Sequence, residues 1–274
     1  MLLLPSNEFI DSASLEEFVT NDQSLRRELV VLEGEIAFQG SEDLARGQVE
    51  QVRLTERRVS LASSLGRRLV KMCPWVRLVA ISGSAAYGRT KPDDDVDFFL
   101  VTCRNRLWVT FLAAMLTAKI YRAKNRASPV FCFNRLLEDD ECVGSFRSPR
   151  DPLFVREALS LRIVDGKAYY HDLLLSASWM GQLFPALFDR AVSSVYASEP
   201  PSADKGNSLW SFINWIAYAI LAPYLRMAGL WRNHRLQRAG NLDANFRTIL
   251  RRGFFAYESR KYDLLRDRYR EAFQ

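Results

Sequence analysis

Between Glu42 and Lys71 apolar residues fall at Leu44, Val49, Val52, Leu54, Val59, Leu61, Leu65 and Leu69, with charges filling most places between them. That period marks one face of an amphipathic helix. The wider stretch 14–72 reads as helical, opened by Ser14 and Glu17 at capping-box spacing. The pattern changes at Pro74. Residues 76–82 (VRLVAIS) and 96–102 (VDFFLVT) are short, apolar and β-branched, as buried strands are. Residues 105–124 return to a helical period, and 129–136 (PVFCFNRL) predict a third strand after the Ala127-Ser128-Pro129 break. Strands alternating with helices predict an α/β unit with at least two parallel strands.

From Leu153 onward the spacing is mostly helical, and Trp179, Trp210, Trp215 and Trp231 fall on it as core anchors. The expected organisation is a helical N-terminal segment (1–73) packing on a core (74–145), followed by a mainly helical C-terminal domain (146–274). The acidic run Glu138-Asp139-Asp140-Glu141 and the turn Ser148-Pro149-Arg150-Asp151-Pro152 are expected to close the core. Ser198–Ala203 is the best candidate linker.

Composition narrows the class. At 274 residues and 48% apolar, the chain can bury a sizeable core, which excludes a disordered or low-complexity protein. The net charge is +6 and is uneven: residues 226–274 hold 12 basic against 5 acidic groups. That end favours an anionic partner, with Arg247, Arg251, Arg252, Arg266, Arg268 and Arg270 interleaved with Phe254, Tyr257, Tyr262 and Tyr269 as RNA-binding surfaces are. The default for such a run is a solvated helix face. Cys73, Cys103, Cys132 and Cys142 form no C-x-x-C pair and sit in apolar runs, the usage of reduced thiols in a cytoplasmic protein. Two histidines, His171 and His234, are too few and too far apart for a zinc site. The start lacks the basic region and long apolar stretch of a signal peptide. Residues 206–225 carry no charge, but Asn207, Ser208, Ser211, Asn214 and Pro223 interrupt them, so a buried or surface-docked helix is expected ahead of a membrane span.

The chemistry concentrates between Ile81 and Asp97. Gly83 and Ser84 end a predicted strand, where glycine lets backbone approach a ligand and exposed amides can receive phosphate. Asp95 and Asp97 are two apart on the next strand, so their carboxylates share a face while Val96 points into the core. Two adjacent carboxylates repel unless a cation lies between them. A hard divalent ion, Mg²⁺ or Mn²⁺, suits that pair and also bridges nucleotide phosphates. Arg89 and Lys91 are placed to neutralise phosphates, or to line a solvated loop; Asp93 and Asp94 read as turn residues after Pro92.

Gly83-Ser84, ten intervening residues, then Asp95-Val96-Asp97 resembles the signature of the nucleotidyltransferase superfamily with the DNA polymerase β-like fold. The likeness covers residues 76–102 and takes in Gly88 and Asp94. More weakly, the longer stretch resembles uncharacterised prokaryotic nucleotidyltransferase-domain proteins, through Arg106-Leu107-Trp108 and Cys132-Phe133-Asn134. The resemblance implies a small mixed-sheet α+β core in which Gly83, Ser84 and Gly88 hold the triphosphate of an NTP and Asp95 and Asp97 hold the catalytic metals. The implied reaction moves an NMP to an acceptor (small molecule, protein or RNA end) and releases pyrophosphate. Two departures stand out. Tyr87 falls where many relatives carry Arg. Strand three offers Cys132 and Asn134 where many carry a third carboxylate, and Asn134 can ligate through its amide oxygen but cannot take a proton. Glu157 or the 138–141 cluster is left to substitute. The alternative expectation is a nucleotide-binding regulator with little or no transfer activity.

Overall fold

A computed structural model describes residues 12–32, 34–125, 127–147, 151–194, 208–239 and 246–272. The Ser198–Ala203 linker and residues 148–150 of the predicted turn lie outside them. The chain opens with α1 (Ser12–Asn21) and α2 (Leu25–Glu28), then a hairpin of β1 (Leu29–Leu32) and β2 (Glu35–Phe38), before the long α3 (Glu42–Met72). The first segment is therefore not wholly helical. The run Leu29-Val30-Val31-Leu32 takes strand geometry, and Gly34 at φ +84° serves the turn. Ser14 lies inside α1 and is not its cap.

The central elements follow the predicted pattern closely: β3 (Val76–Ser82), the one-turn α4 (Gly83–Ala86), β4 (Val96–Thr102), α5 (Leu107–Lys124) and β5 (Phe131–Glu138). Then come α6 (Asp139–Arg147), α7 (Pro152–Leu159), β6 (Arg162–Asp165), α8 (Lys167–Ser176), α9 (Met180–Leu183) and α10 (Pro185–Ser193). The 31-residue α11 (Ser208–Arg238), β7 (Phe246–Leu250), β8 (Phe254–Ser259) and α12 (Arg260–Ala272) complete the described chain. Asp151 caps α7, its carboxylate accepting from the Leu153 and Phe154 amides ahead of a helix begun by Pro152.

Six strands form one mixed sheet in the order β6-β3-β4-β5-β8-β7. Only β4 and β5 run parallel; the other neighbours are antiparallel. The predicted boundary at residue 145 cuts through this sheet, because β6 extends one edge and the β7–β8 hairpin the other. Spacing alone hid these strands: β6 is four residues long, and the hairpin is interrupted by Arg247, Arg251 and Arg252.

The sheet is buried on both faces, which explains the unbroken apolar runs of β3 and β4. Val79, Ile81, Val96, Phe98 and Leu100 pack on one side against α3, α5 and α11. Leu78, Ala80, Phe99 and Val101 pack on the other against α6 to α10. Asp97 alternates with Phe98 and so faces the second side.

The loop between α4 and β4 is anchored from α3. The buried Arg58 guanidinium donates to the carbonyls of Lys91 (2.8 Å), Asp94 (2.6 Å) and Pro92, and Thr55 Oγ1 accepts from the Thr90 amide. Arg58→Met keeps the stem and removes three charge-assisted bonds. It is expected to cost about 2–3 kcal/mol. Urea unfolding measures the loss, and faster amide exchange at Asp94 and Asp95 localises it to the loop.

Candidate functional site

Register brings the site together. Ser82 on β3 pairs with Asp97 on β4, so the chain turns at Gly83 directly beside the Asp97 carboxylate. Gly83 sits at φ +65°, and a Cβ there would overlap Asp97 Oδ2. On the other side Asp97 pairs with Cys132 of β5. Ligand atoms of Asp95, Asp97 and Cys132 all lie within 4.8 Å of one another. The predicted carboxylate pair therefore converges.

A bulge aims the next two residues. Phe98 pairs with Phe133, but Phe99 pairs with Arg135, leaving Asn134 as the extra residue of β5. Asn134 Nδ2 donates to Asp97 Oδ1, while Asn134 Oδ1 is buried and has no partner. A regular strand would turn Asn134 and Arg135 to opposite faces. With the bulge, both line the cavity.

That cavity measures about 500 Å³. Its floor is Ser82, Gly83, Asp95, Asp97, Cys132 and Asn134. Glu157 and Phe154 of α7 form one wall, Tyr257 and Glu258 of β8 another, and Tyr262 of α12 and Arg232 of α11 reach in from the C-terminal region. Of the predicted third carboxylates, Glu157 is the one that reaches it. Tyr87 Oη donates to Glu157 Oε1 at 2.6 Å, and the Arg156 guanidinium lies 4.4 Å from the Tyr87 ring centre. Tyr87 thus serves the carboxylate on α7. Glu138 is absent from the cavity lining. It sits at the far end of β5, beside the backbone of 105–107, and Asp140 and Glu141 line a neighbouring cleft.

Among the predicted phosphate contacts, Gly83 lines the cavity and Ser84, Gly88, Arg89 and Lys91 do not. Arg89 and Lys91 are exposed on the loop that Arg58 holds. The cations that do line the cavity are Arg135 and Arg232. Arg135 bonds Glu258 at 3.4 Å; Arg232 lies 4.1 Å from the Phe246 ring centre. Periodicity gave no sign of Arg135, because the bulge redirects it. Nor did it mark Arg232, which lies 135 residues beyond Asp97.

The neighbouring cleft, about 780 Å³, shares Arg135, Phe154, Glu258 and Tyr262 with the site. It adds Arg247, Arg251, Arg266 and Arg270. Arg266 is paired with Asp151 at 2.8 Å and Asp263 at 3.1 Å.

Electrostatics agree with the geometry. Burial, then the charge of Asp95, push Asp97 up to about 7; the Asn134 hydrogen bond opposes this and Glu157 and Asp94 add to it. Burial and the two aspartates also push the Cys132 thiol far up, so it remains protonated and donates to Asp95. Burial and the Glu157 charge hold the Tyr87 hydroxyl protonated as well. The oxygen donors of Asp95 and Asp97, with the unpartnered Asn134 Oδ1, suit a hard divalent cation; the protonated thiol does not compete for it.

No family model, no curated protein and no solved structure matches the chain.

Proposed function

We propose that the chain is a metal-dependent nucleotidyltransferase that moves an NMP from an NTP to an acceptor and releases pyrophosphate. The observation that carries this reading is the convergence of Asp95 and Asp97 beside a glycine whose side-chain space the Asp97 carboxylate fills, in a cavity of nucleotide size. Asp95, Asp97 and Asn134 Oδ1 would hold Mg²⁺ or Mn²⁺. When bound, the ion neutralises the triphosphate and orients its α-phosphorus. Gly83 leaves room for phosphate oxygens at the end of β3. Arg232 and Arg135 supply positive charge from the opposite wall. Glu157, held by Tyr87, accepts the proton of the attacking acceptor hydroxyl. The neighbouring cleft sets Arg247 and Arg251 beside arginines already paired with Glu258 and Asp151, and these two favour an anionic acceptor, an RNA end among them.

The test is incubation of the purified chain with each α-labelled NTP, Mg²⁺ or Mn²⁺ and an acceptor panel, reading pyrophosphate and label transfer. Turnover is expected, and Glu157→Gln is expected to lower it by about 10²-fold or more while NTP affinity stays within a few-fold. One observation favours a second reading, a nucleotide-binding regulator: β5 carries Asn134 in place of an acid. Metal-dependent NTP binding without pyrophosphate release across the panel would establish that reading. Absence of NTP binding would overturn both.

A further inference from the structure

Helix α11 is apolar round most of its circumference as far as Leu225, yet among the described residues only one side of it is covered. Ala217, Leu221, Ala222 and Leu225 face the sheet and are buried. On the opposite side Leu209, Phe212, Ile216, Ile220, Met227 and Leu230 are each between 38% and 72% exposed. Trp215, Tyr224 and Trp231 are exposed among them, so two of the four tryptophans expected in the core lie on the surface. Helix α5 packs beside α11 on the same sheet face and leaves Leu112, Leu116 and Ile120 exposed at four-residue intervals. At roughly 100 Å² apiece, the nine residues of α11 alone expose on the order of 1,000 Å², beyond the patch a soluble monomer leaves bare.

The charges around this face select what covers it. Neither α5 nor α11 contains a single Asp or Glu. Lys119, Arg122 and Lys124 gather at the end of α5, and Arg226, Arg235 and Arg238 in the last half of α11, where Arg232 turns the other way into the cavity. A second copy of the same face would bring no carboxylate from these helices to meet those six cations. An anionic bilayer meets them with headgroups and takes the apolar side chains into its acyl boundary, with tryptophan and tyrosine at the interface they prefer.

Length and composition let α11 cross a membrane, the one described helix that could. Its inner side forbids that. Buried Asn214 Oδ1 accepts from the amides of Trp108 and Val109, Ser211 accepts from Arg106, and Asn233 bonds both backbone groups of Phe246. A spanning helix would abandon all of these. We therefore infer that α11, with α5 beside it, docks the protein flat on an anionic lipid surface. This inference does not depend on the nucleotidyl-transfer reading.

Flotation of the full chain with phosphatidylcholine vesicles containing about 30% phosphatidylglycerol tests it. The protein is expected to float with these vesicles, to float at least tenfold less with pure phosphatidylcholine, and to show blue-shifted tryptophan emission when bound. The exposed triple variant Phe212→Ser, Ile220→Ser, Leu230→Ser is expected to lose flotation with an unchanged far-ultraviolet spectrum. Arg226→Gln with Arg238→Gln leaves the apolar face intact and is expected to erase the preference for anionic lipid. A chain that stays unbound with both vesicle types overturns the inference. So does a concentration-dependent dimer that the triple serine variant dissolves, since the face would then be a contact between copies.

Discussion

Asp97→Asn is expected to abolish nucleotidyl transfer, by about 10³-fold or more, and at the same time to make the metal-free protein more stable at pH 8. The two effects share one cause. Asp97 is pushed up to about 7 in the folded chain, first by burial and then by Asp95, against an ordinary value near ~3.9 when unfolded. The folded state therefore binds this proton more tightly than the unfolded state does. The stabilisation is fully present below the unfolded value and is lost as pH rises through about 7. Above that, a buried carboxylate beside another carboxylate opposes folding. Asparagine has nearly the same shape, can still accept the Asn134 amide after a flip, and carries no charge. A difference of about three units corresponds to roughly 4 kcal/mol as an upper bound, and the coupled carboxylates reduce it to an expected gain of about 1–3 kcal/mol. Denaturant unfolding of the metal-free proteins at pH 8 and pH 4.5 reads the gain, which should shrink toward zero at the lower pH. Mg²⁺ should stabilise the unaltered chain at pH 8 and leave the variant where it was. The double variant Asp95→Asn, Asp97→Asn should also lose Mg²⁺-dependent NTP binding. Unchanged metal and NTP affinity in the double variant would remove the basis for the enzymatic reading.

A charged pair held at a cost to stability breaks the local rules that a core obeys, and the same contrast between local pattern and long-range placement separates what was legible from residues alone from what was not. The strands 76–82 and 96–102 coincide with their predictions because both are buried on two faces, which forces continuous apolar runs with sharp ends. The Asp95–Asp97 pair was legible because strand alternation fixes which way two neighbouring odd positions point. Everything requiring long-range register was hidden. The bulge at Asn134 is a pairing event between β4 and β5, and no local pattern announces it. Glu157 was one of several acids until the fold brought α7 over the strand ends. Arg232 and Tyr262 come from C-terminal elements that read as an ordinary basic tail. Helix α11 was read as buried or surface-docked, and that choice was not legible: Trp215 and Trp231, expected as core anchors, are exposed, because an apolar spacing on both sides of a helix does not say which side packs.

Gly83→Ala should be the most damaging single-methyl change in the site, and its cost should divide into two measurable parts. Alanine at φ +65° carries a backbone penalty of about 1 kcal/mol. Its Cβ would also occupy the space of Asp97 Oδ2. Asp97 cannot simply swing aside, because Asn134 holds its other oxygen and Cys132 lies opposite in the sheet. The expected total is about 2–4 kcal/mol of stability, with transfer falling as far as it does in Asp97→Asn. In an Asp97→Ala background the collision partner is gone, so Gly83→Ala should then cost only its backbone part. The coupling between the two positions should be about 1–2 kcal/mol. Gly88→Ala is the control: φ is +78° there, but the nearest atom to an added Cβ is Arg162 Nη2 at 3.8 Å. That change should cost about 1 kcal/mol and leave Mg²⁺ affinity unchanged. If Gly83→Ala matched Gly88→Ala in both stability and Mg²⁺ affinity, the glycine would be serving its turn alone, and the Asp97 carboxylate would not be fixed where a nucleotide's cation needs it.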